Sequence, residues 1–289
     1  MLSINDEIGN RKIRKDYLEH DIFSVLQDII DFYDLLSYNS FLFVDNSLLT
    51  SVVQNLDTSV FDAMCGTIES IKMVLGNGRI NDAYSLLRKY DDAIMVDAYM
   101  NIILRKENDK FFADLLKDEA SLQNNIKVSK IRAWVKFSKK LYKQTSDMAK
   151  EIGNDPTLYK VSQLIKGSES FKHNRNICND NVHYNSWSTF VLNNFHLINT
   201  TQSWKKHLDK MKATIIQFFA LHFSYIYILH PEFYVASDYV DSLDCGITPP
   251  EGSMNWVAFF VQAVFDKYVK PFYPNAAEYL VGLKILELK

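Results

Sequence analysis

The chain has 289 residues, 47% hydrophobic and 13% aromatic, with nine Gly and six Pro, a composition that supports a large packed core and excludes disorder as the main state. A formal net charge of −3 excludes a polycation that finds phosphate by long-range attraction, so any nucleic-acid contact has to be local. Cys65, Cys178 and Cys245 are widely spaced and contain no CxxC pair, which excludes a readable disulfide framework or zinc knuckle and points to reduced thiols.

The opening MLSINDEIGNRKIRKDYLEH carries charges where a signal peptide needs its apolar stretch, and a cytoplasmic location is expected. Apolar residues then recur at helical spacing nearly throughout while sustained alternation is scarce, so the spacing predicts an all-α helical bundle. Residues 15–36 come first, with Leu18, Ile22, Phe23, Leu26, Ile29, Ile30, Phe32 and Tyr33 on one wide face. SFLFV at 40–44 is the one run that reads as a short strand, or equally as an apolar turn.

Helices are predicted over 47–75 and 79–105, joined by GNG at 76–78 into a hairpin, because glycine tolerates the positive φ of a helix C-cap. Within the second arm, Arg88 and Asp92 form an i,i+4 pair. Shorter helices over 107–118 and 155–166 flank a longer one over 126–150. Further helices are predicted near 187–198, 202–230, 254–269 and 275–287, with Pro231 and TPPEG at 248–252 marking breaks. The stretch ATIIQFFALHFSYIYIL at 213–229 approaches membrane-spanning length but holds Gln217, His222 and Ser224; a buried core helix and no membrane partner are expected. The organisation predicted is one domain over 1–289, with a peripheral N-terminal segment 1–45, a core over 47–230 and a C-terminal helical extension 231–289.

Charge is unevenly spread: no acid lies between Glu119 and Asp147, while Arg132, Lys136, Lys139, Lys140 and Lys143 share one face at helical pitch. Such a face is either ordinary solvated surface or a ridge that tracks phosphates in a salt-dependent way. The common nucleotide, zinc-protease and serine-hydrolase motifs are absent from the chain. Asp238, Asp241 and Asp244 lack the ligand spacing of a calcium loop and read as a polar connection. No cofactor and no metal site is expected. Among the histidines, His222 and His230 read as core or helix-end groups, His196 and His207 as parts of amphipathic stretches, and His20 as a group on a solvated face.

RNICNDNVHYN at 175–185 stands apart. If 172–183 is helical, Arg175, Asn179 and His183 follow i,i+4,i+8, with Lys172, Asn176 and Asp180 beside them. An imidazole that titrates near neutral pH, an arginine fork suited to phosphate and amides that orient both are the parts of metal-independent RNA cleavage. Eight residues of helix rise about 12 Å, too far for Arg175 and His183 to touch one atom, so the segment bends or a two-fold dimer brings two stripes together.

At these residues the sequence resembles the HEPN superfamily, whose motif is an Arg, usually followed by a polar residue, and then a His. Arg175 is followed by Asn176 and His183 closes the motif, with seven residues between them, a longer gap than the motif usually has. GRINDAYSLLRKYDDAI at 78–94 also looks like the first core helix of HEPN-like proteins from phage-defence neighbourhoods. The resemblance implies an HEPN-like bundle with extra N- and C-terminal helices, a homodimer, and metal-independent endoribonuclease action on RNA in phage defence or a toxin-like system, with an antitoxin or defence protein as partner. His183 would be general base or acid and Arg175 would stabilise phosphate. Asn176, Asn179 and Asp180 would orient substrate or His183; Lys172, Tyr184 and the basic face Arg132, Lys136, Lys139, Lys140 and Lys143 would hold RNA. Two alternatives stay open: a non-catalytic HEPN-like scaffold or sensor that binds a protein, RNA or nucleotide, and a plain helix–loop–helix junction in which Ser186 or Asn185 caps the next helix and Arg175 makes a structural ion pair.

Overall fold

The computed structural model describes residues 13–42, 56–115, 133–135, 139–141, 145–167 and 170–289. Among these residues every regular element is helical, apart from one isolated antiparallel bridge between Val235 and Val257. The all-α class read from the apolar periodicity is what forms.

Helix α1 (Lys15–Leu18) is a single turn and α2 (Ile22–Leu42) follows it. The unbroken pattern over 15–36 is interrupted where His20 Nδ1 accepts the Ile22 N–H at 3.2 Å, a side-chain cap to which apolar periodicity is blind. His20 is not on a solvated face either. Its side chain is 7% exposed, set edge-on against Trp204 and within 3.0 Å of Asp209 Oδ1. SFLFV makes no strand in its described part, because residues 40–42 complete α2; 43 and 44 lie outside the described residues.

Helix α3 (Leu56–Gly76) packs against α2 and against α4 (Ile80–Leu115). Gly78 donates to the Leu75 carbonyl at 2.7 Å and Arg79 to that of Val74 at 2.9 Å, the paired bonds of a Schellman cap. Gly78 sits at φ +70°, and a Cβ there would fall 2.6 Å from Ile198 Cδ1, so the turn needs glycine twice over. The separate helix expected over 107–118 is instead, as far as residue 115, the continuation of a 36-residue α4. RKENDK at 105–110 is polar but contains neither Gly nor Pro, and polarity alone does not stop a helix.

Helices α5 (Thr145–Asn154) and α6 (Pro156–Lys166) meet at Asp155, whose Oδ1 accepts the N–H groups of Thr157 and Leu158 at 2.9 and 3.0 Å. Asp at the cap and Pro at the first helical position are the strongest local start signal in this chain. After α7 (Ser170–Val182) come α8 (Trp187–Phe190), a 3₁₀ turn over Val191–Asn193 and α9 (Phe195–Thr200), in place of one helix over 187–198. Asn194 breaks it, its Oδ1 accepting the His196 N–H at 3.0 Å.

Helix α10 (Ser203–Leu229) is the axis of the fold. From Thr214 to Tyr227 it is buried on every side, because α2, α4 and α6 all pack on it, as an all-round apolar helix requires. It is long and apolar enough to cross a membrane, yet 83% of its most apolar window lies inside the protein. Its polar residues have partners: Gln217 Nε2 donates to the Ile165 carbonyl at 3.1 Å, and Ser224 Oγ to that of Ala220 at 2.7 Å. His222 joins a fully buried chain from Tyr90 OH to Tyr33 OH (2.6 Å), Tyr33 OH to His222 Nδ1 (2.6 Å) and His222 Nε2 to Asp97 Oδ2 (3.0 Å). That chain ties α2, α4 and α10 through polar atoms that would each cost about 1–3 kcal/mol if left unpaired.

Beyond Pro231 the chain forms α11 (Asp238–Asp244), α12 (Phe259–Val264), a π-helical turn over Phe265–Val269 and α13 (Pro274–Gly282). The Asp238–Asp241–Asp244 stretch, expected as a connection, is thus a short helix. The helix predicted over 275–287 ends at Gly282, and residues 283–289 follow as non-helical chain that buries Leu286 and Leu288.

Candidate functional site

Helix α7 carries the RNICNDNVHYN segment, and the structure splits its polar residues between two faces. Cys178 and Asn181 are buried, and burial pushes the Cys178 thiol up to about 12. Asn81 on α4 donates from Nδ2 to the Asn181 carbonyl and Oδ1 at 3.1 and 3.0 Å. This face is a packing surface against α4.

Arg175 and Asn179 sit at its edge. The Arg175 guanidinium bonds the carboxylate of Asp91 and, through Nη2, Asp92 Oδ1 at 3.1 Å. Arg88 bonds Asp92, lies 3.6 Å from Asp91 Oδ2, and donates from Nε to Asn179 Oδ1 at 2.8 Å. Asp91 is fully buried, and burial pushes its carboxyl up to about 6 even though Arg175 and Arg88 pull it down. Two arginines and two carboxylates therefore close into one network, and the charge that Arg175 would offer to a phosphate is already balanced. The Arg88–Asp92 pair was visible in sequence and forms; the part played by Asp91, and the engagement of both carboxylates with Arg175, are what sequence spacing has no access to.

The opposite face is open. Lys172, Asn176, Asp180 and His183 are exposed and lie at i,i+4,i+8,i+11, one stripe along the helix. Asp180 Oδ1 accepts from Asn185 Nδ2 at 2.9 Å. His183 follows the last residue of α7, its backbone N–H bonded to the Asn179 carbonyl at 3.1 Å, and its ring makes no hydrogen bond among the described residues. Arg175 is thus on α7 and turned toward α4, while His183 stands just past its end and is turned toward solvent.

Tyr184 ends α7 at φ +49°, the left-handed position usually given to glycine. The Asn185 N–H bonds the Asp180 carbonyl at 3.0 Å, again in the Schellman pattern. Ser186 then caps α8 with a full capping box, Thr189 N to Ser186 Oγ and Ser186 N to Thr189 Oγ1, both 3.2 Å. The expectation of Ser186 as cap and of Arg175 in an ion pair is met in this geometry. The cap also places Trp187 and Phe190 outward, 76% and 56% exposed, their rings stacked at 5.7 Å and 20°. Tyr184 meets Phe190 edge-on at 5.4 Å. Three large aromatic rings in solvent form a patch, of which Tyr184 was named from the sequence while Trp187 and Phe190 were passed over; WSTF itself contains the signal.

Of the basic face, Arg132, Lys136 and Lys143 lie outside the described residues. Lys139 and Lys140 are exposed, but they stand in non-helical chain: residues 133–135 are helical, 139–141 are not, and α5 begins at Thr145. A single helix over 126–150 does not form, so these two lysines do not belong to a helical ridge.

The sequence reading also passed over His173 and the KKHLDK run at 205–210. The fold brings them together, Lys210 Nζ lying 2.8 Å from His173 Nε2. No protein-family model, curated protein or solved structure matches this chain.

Proposed function

We propose that the protein is a non-catalytic, HEPN-like helical scaffold or sensor that recognises its partner with the solvent stripe of α7 and the Tyr184–Trp187–Phe190 cluster. The observation that supports this reading is the pairing of Arg175 with Asp91 and Asp92. An arginine neutralised by a buried carboxylate stabilises the helix junction and has little field left for developing phosphate charge. Exposed Trp and Tyr, by contrast, are the side chains that most often anchor a partner, be it a protein surface or a nucleobase.

Metal-independent RNA cleavage is the second reading, favoured by His183, which is exposed just past the end of the helix that carries Arg175. It requires Arg175 to leave Asp91, or the His183 stripes of two chains to meet across a homodimer axis. An RNA-cleavage assay in EDTA separates the readings. The scaffold reading expects no cleavage by the wild type beyond that of Arg175→Ala and His183→Ala at equal folded content. Cleavage that both substitutions abolish would reverse the order of the two.

A further inference from the structure

Several lysines of this protein bond an oxygen acceptor, and Lys210 instead bonds a ring nitrogen. Among the described residues, Lys212 bonds Asp21, Lys267 bonds Asp28, Lys106 bonds Glu151 and Lys72 bonds the Gln27 amide oxygen. Lys210 bonds a second base, with Nζ 2.8 Å from His173 Nε2. Lys206 lies one turn earlier on the same side of α10, a like-charge i,i+4 pair that costs stability unless an anion offsets it. Burial and then Lys206 depress the Lys210 pKa, and burial followed by Lys206 and Lys210 depresses that of His207. Lys172, next to His173, adds a further ammonium group.

Among the described residues, the acids next to this basic run are engaged elsewhere. Asp209 is held by His20 at 3.0 Å and Asp21 by Lys212 at 2.7 Å. Neither α7 nor α10 has an acid in its first turn. Lys172, Lys206 and Lys210 make no ion pair with a carboxylate among the described residues.

We infer that the junction of α7 and α10 is a binding site for a dianionic phosphate group, inorganic phosphate or a small phosphomonoester, held by Lys172, His173, Lys206 and Lys210. Lysines bind phosphate as mobile point charges, and several of them from two helices suit a tetrahedral dianion approached from more than one side. The dianion offsets the repulsion between Lys206 and Lys210 and gives Lys210 an anionic acceptor beside His173 Nε2. The site shares Lys172 with the recognition surface proposed above but lies away from its aromatic cluster: His173 and His183 are ten residues apart, about 15 Å along the helix.

Isothermal titration calorimetry of the full chain at constant ionic strength tests this, with sodium phosphate in one arm and a nucleoside 5′-monophosphate in the other. Saturable binding with Kd about millimolar or tighter is expected in at least one arm. The Lys206→Met/Lys210→Met double variant should weaken it at least about tenfold, and Lys150→Met, on α5, should leave it unchanged. A tighter nucleotide arm identifies a phosphomonoester as the ligand; equal arms identify phosphate itself. Without ligand the double variant should melt at or above the wild-type temperature, since like-charge repulsion is gone. Absence of saturable binding by the wild type, or equal binding by the folded double variant, overturns the proposal. So does a 5′-hydroxyl oligoribonucleotide that binds through these lysines while phosphate does not. Trp187→Ala leaves phosphate binding intact, so failure of the aromatic surface and failure of this site are told apart.

Discussion

At the scale of single residues, Asp91 and Tyr184 hold conformations or charges that their own chemistry disfavours. Burial raises the folded pKa of Asp91 to about 6, above the ordinary carboxylate value of about 4. The folded state therefore binds the proton more tightly than the unfolded chain. The resulting stability is fully present below pH about 4 and is lost as pH rises through about 6. Denaturant titrations of wild type and Asp91→Asn from pH about 4 to 6.5 should show the wild type losing about 2 kcal/mol relative to the variant. A constant difference across that range would refute the buried, charge-balanced reading of Asp91. Tyr184 carries a left-handed backbone at a helix C-cap, a strain of about 1 kcal/mol for a residue with a Cβ. Tyr184→Gly should keep or raise the thermal midpoint while weakening partner binding, because glycine relieves the backbone and removes a ring. A drop in midpoint of several degrees would mean that the ring contributes mainly to packing. His183 and Arg175 were both legible as candidates from their spacing; that one of them is tied to Asp91 was not, because the carboxylate comes from a residue 84 positions away.

At the scale of elements, sequence and structure agree best where the signal is local. Asp155–Pro156 starts α6, the GNG turn separates α3 from α4, and the breaks fall before Pro231, as turn and cap chemistry dictates. They part where one side chain interrupts a continuous apolar pattern, as His20 does after α1 and Asn194 after the 3₁₀ turn. They part again at RKENDK, where separate helices over 79–105 and 107–118 were expected and one helix runs through to Leu115. The links between elements are tertiary, and the Tyr90–Tyr33–His222–Asp97 chain is the deepest of them. Tyr33→Phe would leave His222 Nδ1 and the Tyr90 hydroxyl without this partner, and an equilibrium urea titration should register a loss of about 1–3 kcal/mol. Tyr38→Phe, on the exposed side of the same helix, serves as control and should stay within about 0.5 kcal/mol. Equal effects of the two substitutions would show that the chain contributes nothing specific.

At the scale of the whole molecule, buried apolar residues from Tyr17 to Leu288 form one contiguous cluster. Its centre is α10, with Phe219 set against Phe32 at 5.1 Å and Phe223 stacked on Phe265 at 5.8 Å. Helices from both ends of the chain share that centre, so they should unfold together. Thermal melts followed by far-ultraviolet circular dichroism and by tryptophan fluorescence should coincide in one transition. Separated midpoints would show that the segments after Pro231 are not coupled to α2 and α10. The sequence by itself determined the helical class, the core identity of residues 213–229 and the position of the main turns, because apolar period, length and cap chemistry act over a few residues. Only the tertiary structure decided which polar residues are occupied and which are open. It closed Arg175 onto Asp91, turned Trp187 and Phe190 outward, and brought His173 against Lys210. Partnership between charged side chains is a matter of distance in space, and residues far apart in the chain acquire it only when the core brings their helices together.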